Sequence, residues 1–220
     1  MINIKHNILI LIKYVLVEYI AKCFIEYSIF LLFSKKFNIN GVHAVDILVS
    51  SNDVDAIYIA TPHSSHFKYA LEAIKNKKHV LCEKPVALNL EELSQLENAA
   101  IESEAFFYEA FMVRSHPQWH WLQNLDIGNY QSSHFIFSYP KQPEGNVRNL
   151  IKYGGGPLFD IGCYAILSGC MLFKGEPKVL SAVATMCDQY ETEKQLDATL
   201  RWPDGETLSF TVSADAALCQ

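Results

Sequence analysis

The stretch "HVLCEKPVAL", residues 79–88, ends an apolar run with an acid, a base and an imide: Glu83, Lys84 and Pro85. Charged groups at the tip of a buried strand are costly unless they are solvated or used. A lysine at such a tip can stabilise a developing anion or lower the pKa of an acid beside it. Further along, "YGGGPLFDIGCYAILSGCMLF" (153–173) sets Asp160 and Tyr164 at i and i+4, on one face of a predicted helix. A buried phenol beside a carboxylate is, on spacing alone, most simply a satisfied core pair. His116 and His120 also lie four apart, but no carboxylate or cysteine accompanies them at ligand spacing, and no metal site is expected.

The elements that must position these groups alternate. "AIYIAT" (56–61) predicts a short strand stopped by Pro62. "SSHFKYALEAIKNKK" predicts a helix with Ser64 or Ser65 as its N-cap and Phe67, Ala70, Leu71 and Ile74 on one face. Lysines 75, 77 and 78 crowd its C-terminal end, where the helix dipole favours them. "HVLC" (79–82) is the next strand, and Asn89 opens a second helix with Glu92 in capping-box position. "AFFYEAF" (105–111) closes the series. Strands and helices alternating at this spacing imply right-handed crossovers and a parallel sheet, with ligands beyond the carboxyl ends of its strands. Both "ATPHSSH" (60–66) and "CEKP" (82–85) fall at such ends.

The second half reads differently. A helix opens around Pro117, and "YQSSHFIFSYP" (130–140) alternates like a strand. Gly154, Gly155, Gly156 and Pro157 then open a helix that is apolar nearly all round, hence buried. Three further strands follow, the last two joined by a Pro-Asp-Gly turn (203–205), as an antiparallel sheet packed on that helix. The domain boundary is expected near Met112–Pro117.

Composition narrows the function classes. The chain has 220 residues, half of them apolar, and a net charge of −6 without a basic tract, so no nucleic-acid partner is expected. Cys23, Cys82, Cys163, Cys170, Cys187 and Cys219 form no C-x-x-C pair, which points to a reducing cytoplasm. Residues 1–33 are far more apolar than the remainder. Lys13, Glu18, Lys22 and Glu26 interrupt the run, which argues for a helix with a broad apolar face, with membrane contact through residues 8–33 as the alternative.

Together, "DVDAIYIATPHSSH", "HVLCEKPVALNLEEL", "EAFMVRSHPQ" and "GGGPLFDIGCYAI" resemble the glucose–fructose oxidoreductase and inositol dehydrogenase (Gfo/Idh/MocA) family, in the branch with dihydrodiol and xylose dehydrogenases. The resemblance implies an α/β chain: an incomplete Rossmann-like parallel sheet (34–113), then a partial α+β domain with a mostly antiparallel sheet (114–220), with residues 1–33 outside the match. It implies NADP or NAD as cofactor, and hydride transfer to or from a secondary alcohol of a sugar, polyol, cyclitol or dihydrodiol. By resemblance, Lys84, Asp160 and Tyr164 are catalytic. Thr61, Pro62, His66, Glu83, Lys84, Arg114 and Arg148 line the cofactor site, and the Lys84–Pro85 bond is cis. A homo-oligomer through the open face of the large sheet is implied as well.

The chain departs from the family pattern at one point. Gly41 is the only glycine before Gly128, so the Gly-rich turn that meets the cofactor pyrophosphate is missing. Two expectations follow: an oxidoreductase shortened at both ends and weakened in cofactor binding, or a non-catalytic relative serving as a binding or dimerisation module.

Overall fold

The computed structural model describes residues 8–11, 45–126 and 128–219, and these fall into two compact units, Met1–Ala110 and Phe111–Gln220. In the first unit, strands β1 (Ile8–Leu11), β2 (Ala56–Ile59), β3 (His79–Cys82) and β4 (Phe107–Glu109) form one sheet in that order. Every pairing is parallel. Between them run helices α1 (Val45–Ser50), α2 (His66–Lys75) and α3 (Leu90–Ser103).

The strand at Ile8–Leu11 corrects the helical reading of the N-terminal apolar run. A parallel sheet covered on both faces uses continuous aliphatic strands without polar alternation, so "ILIL" suits it as well as it suits a buried helix. The other residues of the expected membrane-contact segment, 12–33, lie outside the described residues.

Local chemistry explains the helix ends. Asn89 caps α3 by accepting from the Glu92 amide at 2.9 Å, and Glu92 reaches back to the Leu88 amide at 3.0 Å, one residue before the cap. Ser65 occupies the cap position of α2 but makes no side-chain capping bond. Its hydroxyl turns back instead, 2.8 Å from Thr61 Oγ1 and 2.9 Å from the Pro62 carbonyl. The core joins Ile57, Ile59, Val80 and Cys82 of the sheet to Ala70, Ala73, Ile74 and Leu96 of the helices.

In the second unit, β5 (Ser132–Ser138), β8 (Thr207–Ser213), β7 (Glu193–Arg201) and β6 (Lys178–Met186) form a sheet in that order. Only β5–β8 is parallel. The Pro203–Gly205 turn closes the β7–β8 hairpin, with Gly205 at φ 103° and its amide on the Trp202 carbonyl. Helix α4 (Pro117–Gln123) is capped by His116, whose Nδ1 accepts from the Gln118 amide. The central helix begins as a π-turn (Leu158–Gly162) and continues as α5 (Cys163–Leu172). By length and composition, Ile151–Leu172 would suffice to cross a membrane, but half of its most apolar window is buried inside the protein. It packs on β7 and β8 through Ile161, Ala165, Leu196, Leu200, Leu208 and Val212.

Close packing of α5 on the sheet depends on Gly169. A Cβ there would lie 2.4 Å from Trp202 Cη2 and 3.1 Å from Leu208 Cδ2, in a region where Trp202 is 2% exposed. We expect Gly169→Ala to destabilise the protein by about 1–3 kcal/mol through overpacking, outweighing the gain of about 1 kcal/mol in helix propensity. Urea unfolding should show a lowered midpoint with an unchanged slope. A raised midpoint would mean that Trp202 can swing aside at no cost.

Candidate functional site

In the first unit the expected residues gather at the carboxyl edge of the sheet. Leu11, Ile59, Cys82 and Glu109 are register partners across the four strands, so the strands end level. Thr61 and Pro62 follow β2, and Glu83, Lys84 and Pro85 follow β3. The Lys84–Pro85 bond is cis.

The Glu-Lys-Pro turn is braced on several sides. The Glu83 amide donates to the Ile59 carbonyl at 2.8 Å, and the Glu83 carboxylate accepts from the Tyr58 hydroxyl. The Pro85 carbonyl faces His66 Nδ1 at 2.7 Å. The Val86 amide donates to Glu109 Oε1 at 3.0 Å. Burial, and then the bond to Glu83, push the Tyr58 hydroxyl well above its ordinary pKa, so it stays a donor. Burial also raises Cys82 well above the ordinary thiol value, with Glu109 adding to it, which makes this buried thiol inert. Lys84 is half-buried on a turn whose flanks are fixed. Thr61 and Pro62 are buried. His66 is 0% exposed, with both ring nitrogens against backbone carbonyls, so its ring sits behind the loops.

In the second unit Asp160 lies in the π-turn, 6% exposed, and accepts from Arg148 Nε at 2.9 Å. Arg148, expected at the cofactor cleft, is thus an ion-pair partner of Asp160. The Tyr139 hydroxyl is a second neighbour. Burial first, and the Asp160 charge second, drive its pKa far up, while Arg148 opposes them. Tyr164 stands one turn further, half-buried, its ring edge-on to Phe111 at 5.4 Å and tilted against Phe137 at 6.2 Å. Arg114 is exposed in a 3-10 turn, Met112–Ser115, near Cys170.

The helix that carries Asp160 and Tyr164 is anchored by a residue that spacing alone does not reveal. Glu193, on β7, accepts from the Leu158 amide at 2.8 Å. Its carboxylate fills the space over Gly156, where a Cβ would come within 2.6 Å of both oxygens and φ is 105°. Glu193, Tyr139, Tyr58 and Glu109 are absent from the residues singled out by sequence. The signal for Glu193, Tyr139 and Glu109 is a polar residue at or just past a strand end, and Tyr58 lies within β2.

Comparison with known proteins gives consistent matches to both units. Residues 26–111 match a model described as "Oxidoreductase family, NAD-binding Rossmann fold" (GFO_IDH_MocA), and residues 119–219 match the GFO/IDH/MocA C-terminal domain. The first match takes in residues 26–33, which the sequence motifs left out. An uncharacterized oxidoreductase of Rhizobium meliloti is 32% identical over 79% of this chain and 53% of its own length. A trans-1,2-dihydrobenzene-1,2-diol dehydrogenase of Danio rerio is 31% identical over 70% of this chain and 47% of its own. Among solved structures, a 3-ketoreductase from Actinomadura kijaniata in complex with NADP and TDP-benzene superposes with a TM-score of 0.81 at 27% identity. It covers 88% of this chain, which spans 61% of it. The chain thus spans about half the length of the curated relatives it matches.

The cap on the central helix is open to a direct test. Glu193→Ala should cost about 0.5–2 kcal/mol, the usual worth of a helix N-cap, while Glu193→Gln keeps an acceptor and should lose less. Thermal melts of the two variants against the parent read the difference. Equal melting points for Ala and Gln would remove the capping bond from the account.

Proposed function

The chain belongs to the GFO/IDH/MocA oxidoreductase family, and from that premise we propose that it transfers hydride between a nicotinamide cofactor and a secondary alcohol. The observation that carries this reading is the braced Glu-Lys-Pro turn at the carboxyl edge of a parallel sheet, where such sheets bind ligands. The substrate classes proposed are a sugar, a polyol, a cyclitol and a dihydrodiol. A dihydrodiol dehydrogenase and a 3-ketoreductase among the relatives support them. A homo-oligomer is proposed too, supported by edge strand β6, whose nine residues are all exposed and include Val179, Leu180, Val183 and Met186. A reducing cytoplasm is the proposed setting.

The residues around Lys84 suit a nicotinamide: a half-buried cation on a fixed turn, with Thr61 and Pro62 on the loop after the neighbouring strand. The pyrophosphate end is less well served, because no glycine stands between Leu11 and Gly41. Three backbone bonds to a charged group, at about 1.5–3 kcal/mol each, are worth more than about a thousandfold in affinity. A nicotinamide cofactor, when bound, supplies the hydride chemistry.

Each protein group has a separate task in this proposal. Tyr164 takes the proton from the alcohol oxygen, or returns it in the reductive direction. Phe111 and Phe137 hold its ring in one orientation. Lys84 supplies a positive charge for the nicotinamide end of the cofactor site. Asp160 is a positioning group, ion-paired with Arg148 at 2.9 Å.

Titration of the purified chain with NADPH and NADH, followed by nicotinamide fluorescence, tests the reading. Saturable binding, weakened by Lys84→Ala, is expected. Tyr164→Phe should leave cofactor affinity within about threefold while removing roughly 10²–10⁴ of the turnover, the usual worth of a positioned acid–base group. A folded sample with no cofactor binding at millimolar concentration would favour the non-catalytic binding module instead.

A further inference from the structure

Among the described residues of the first unit, His66 is the most completely buried polar side chain, and the proposed chemistry gives it no task. Its ring is 0% exposed. Nε2 lies 2.7 Å from the Thr61 carbonyl and Nδ1 lies 2.7 Å from the Pro85 carbonyl. The ring therefore spans the loop after β2 and the loop after β3, and the second of these holds Lys84 one residue before the carbonyl it grips.

The two partners determine where the protons are. A backbone carbonyl only accepts, and a neutral imidazole has one N–H and one lone pair. A neutral ring in this place would aim its lone pair at a carbonyl oxygen 2.7 Å away. A ring with both nitrogens protonated donates twice. Burial, the largest influence, pulls the ring's pKa below its ordinary value, and the nearby Lys84 charge adds to that. The two carbonyls and the Glu83 carboxylate pull the other way. His63 stacks edge-on at 5.7 Å between centroids. Together these leave the ring's pKa lowered; set against that is the geometry, since a neutral ring leaves one of the two 2.7 Å contacts between a lone pair and a carbonyl oxygen.

We propose that His66 is a positioning residue: a buried imidazolium that donates to the Thr61 and Pro85 carbonyls, clasps the two strand-end loops together and thereby fixes Lys84. This reassigns His66 from touching the cofactor to holding the residue that does. It rests on the proposed role of Lys84 for its functional meaning, but not for its structural test.

Two measurements decide it without any cofactor present. In the full chain labelled with ¹⁵N-histidine, long-range proton–nitrogen correlation spectra at neutral pH should show both His66 ring nitrogens protonated. The signals are assigned by their absence from His66→Gln. One protonated and one bare nitrogen would overturn the imidazolium. Separately, the acylation rate of each lysine is followed by mass spectrometry. Losing one bond to a charged group loosens its partner by about tenfold or more, so Lys84 should react about tenfold faster in His66→Gln, with Lys152 and Lys174 unchanged. Unchanged Lys84 reactivity in the folded variant would overturn the clasp. If His66→Gln does not fold, the spectrum of the parent chain, assigned by elimination of the other histidines one at a time, still decides. Failure of NADPH to bind would remove the proposed oxidoreductase activity and leave both readouts standing.

Discussion

Level strand ends are the constraint on which the first unit depends. Parallel pairing with one continuous register aligns Leu11, Ile59, Cys82 and Glu109 in a single row across the sheet. Residues just past that row must bind one another across the strands. They do so mutually: the Glu83 amide on the Ile59 carbonyl, the Ala110 amide on the Cys82 carbonyl, and the Val86 amide on the Glu109 side chain. Slipping one strand by a residue would turn its core side chains outward and undo all of these bonds at once. The hydrophobic pattern that fixes the register therefore also aims the lysine.

The second unit reaches a similar end by different means. Its central helix cannot use flanking strands as a frame, because Asp160 lies in a π-turn, where the backbone is wider than an α-turn and its groups are looser. Side chains from elsewhere fill the role. Glu193 takes the first free amide, and Arg148 meets the buried carboxylate. A carboxylate left alone at 6% exposure would be expensive, so Arg148 is better understood as the condition for Asp160 being there. π-turns within helices are frequently found at functional sites, and this one falls between Pro157 and Tyr164.

Much of this was legible from residue order. Turn chemistry exposed the Pro203–Gly205 hairpin, the Asn89 cap and the strand–helix alternation, because each is decided within a few residues. Four short motifs sufficed for the family. What stayed hidden was long in range or ambiguous in period. His66 and Pro85 are 19 positions apart, Val86 and Glu109 23, and Leu158 and Glu193 35, and no local pattern announces such pairs. The apolar "ILIL" does not announce a strand, because a buried parallel strand and a buried helix present the same unbroken run. By resemblance Arg148 lines the cofactor cleft, and its ion pair with Asp160, twelve residues later, is a further contact that no local pattern announces.

The braces around Lys84 have one more property: they are all local in the order of synthesis. Tyr58, Thr61, His66, Pro85, Val86 and Glu109 lie within a single run of the chain, and none of these bonds reaches into the second unit. Domains fold as units, the N-terminal one first as the chain leaves the ribosome. The lysine turn can therefore be complete before Asp160 and Tyr164 have been translated. Selection can then alter the second unit without disturbing the fold that holds the lysine.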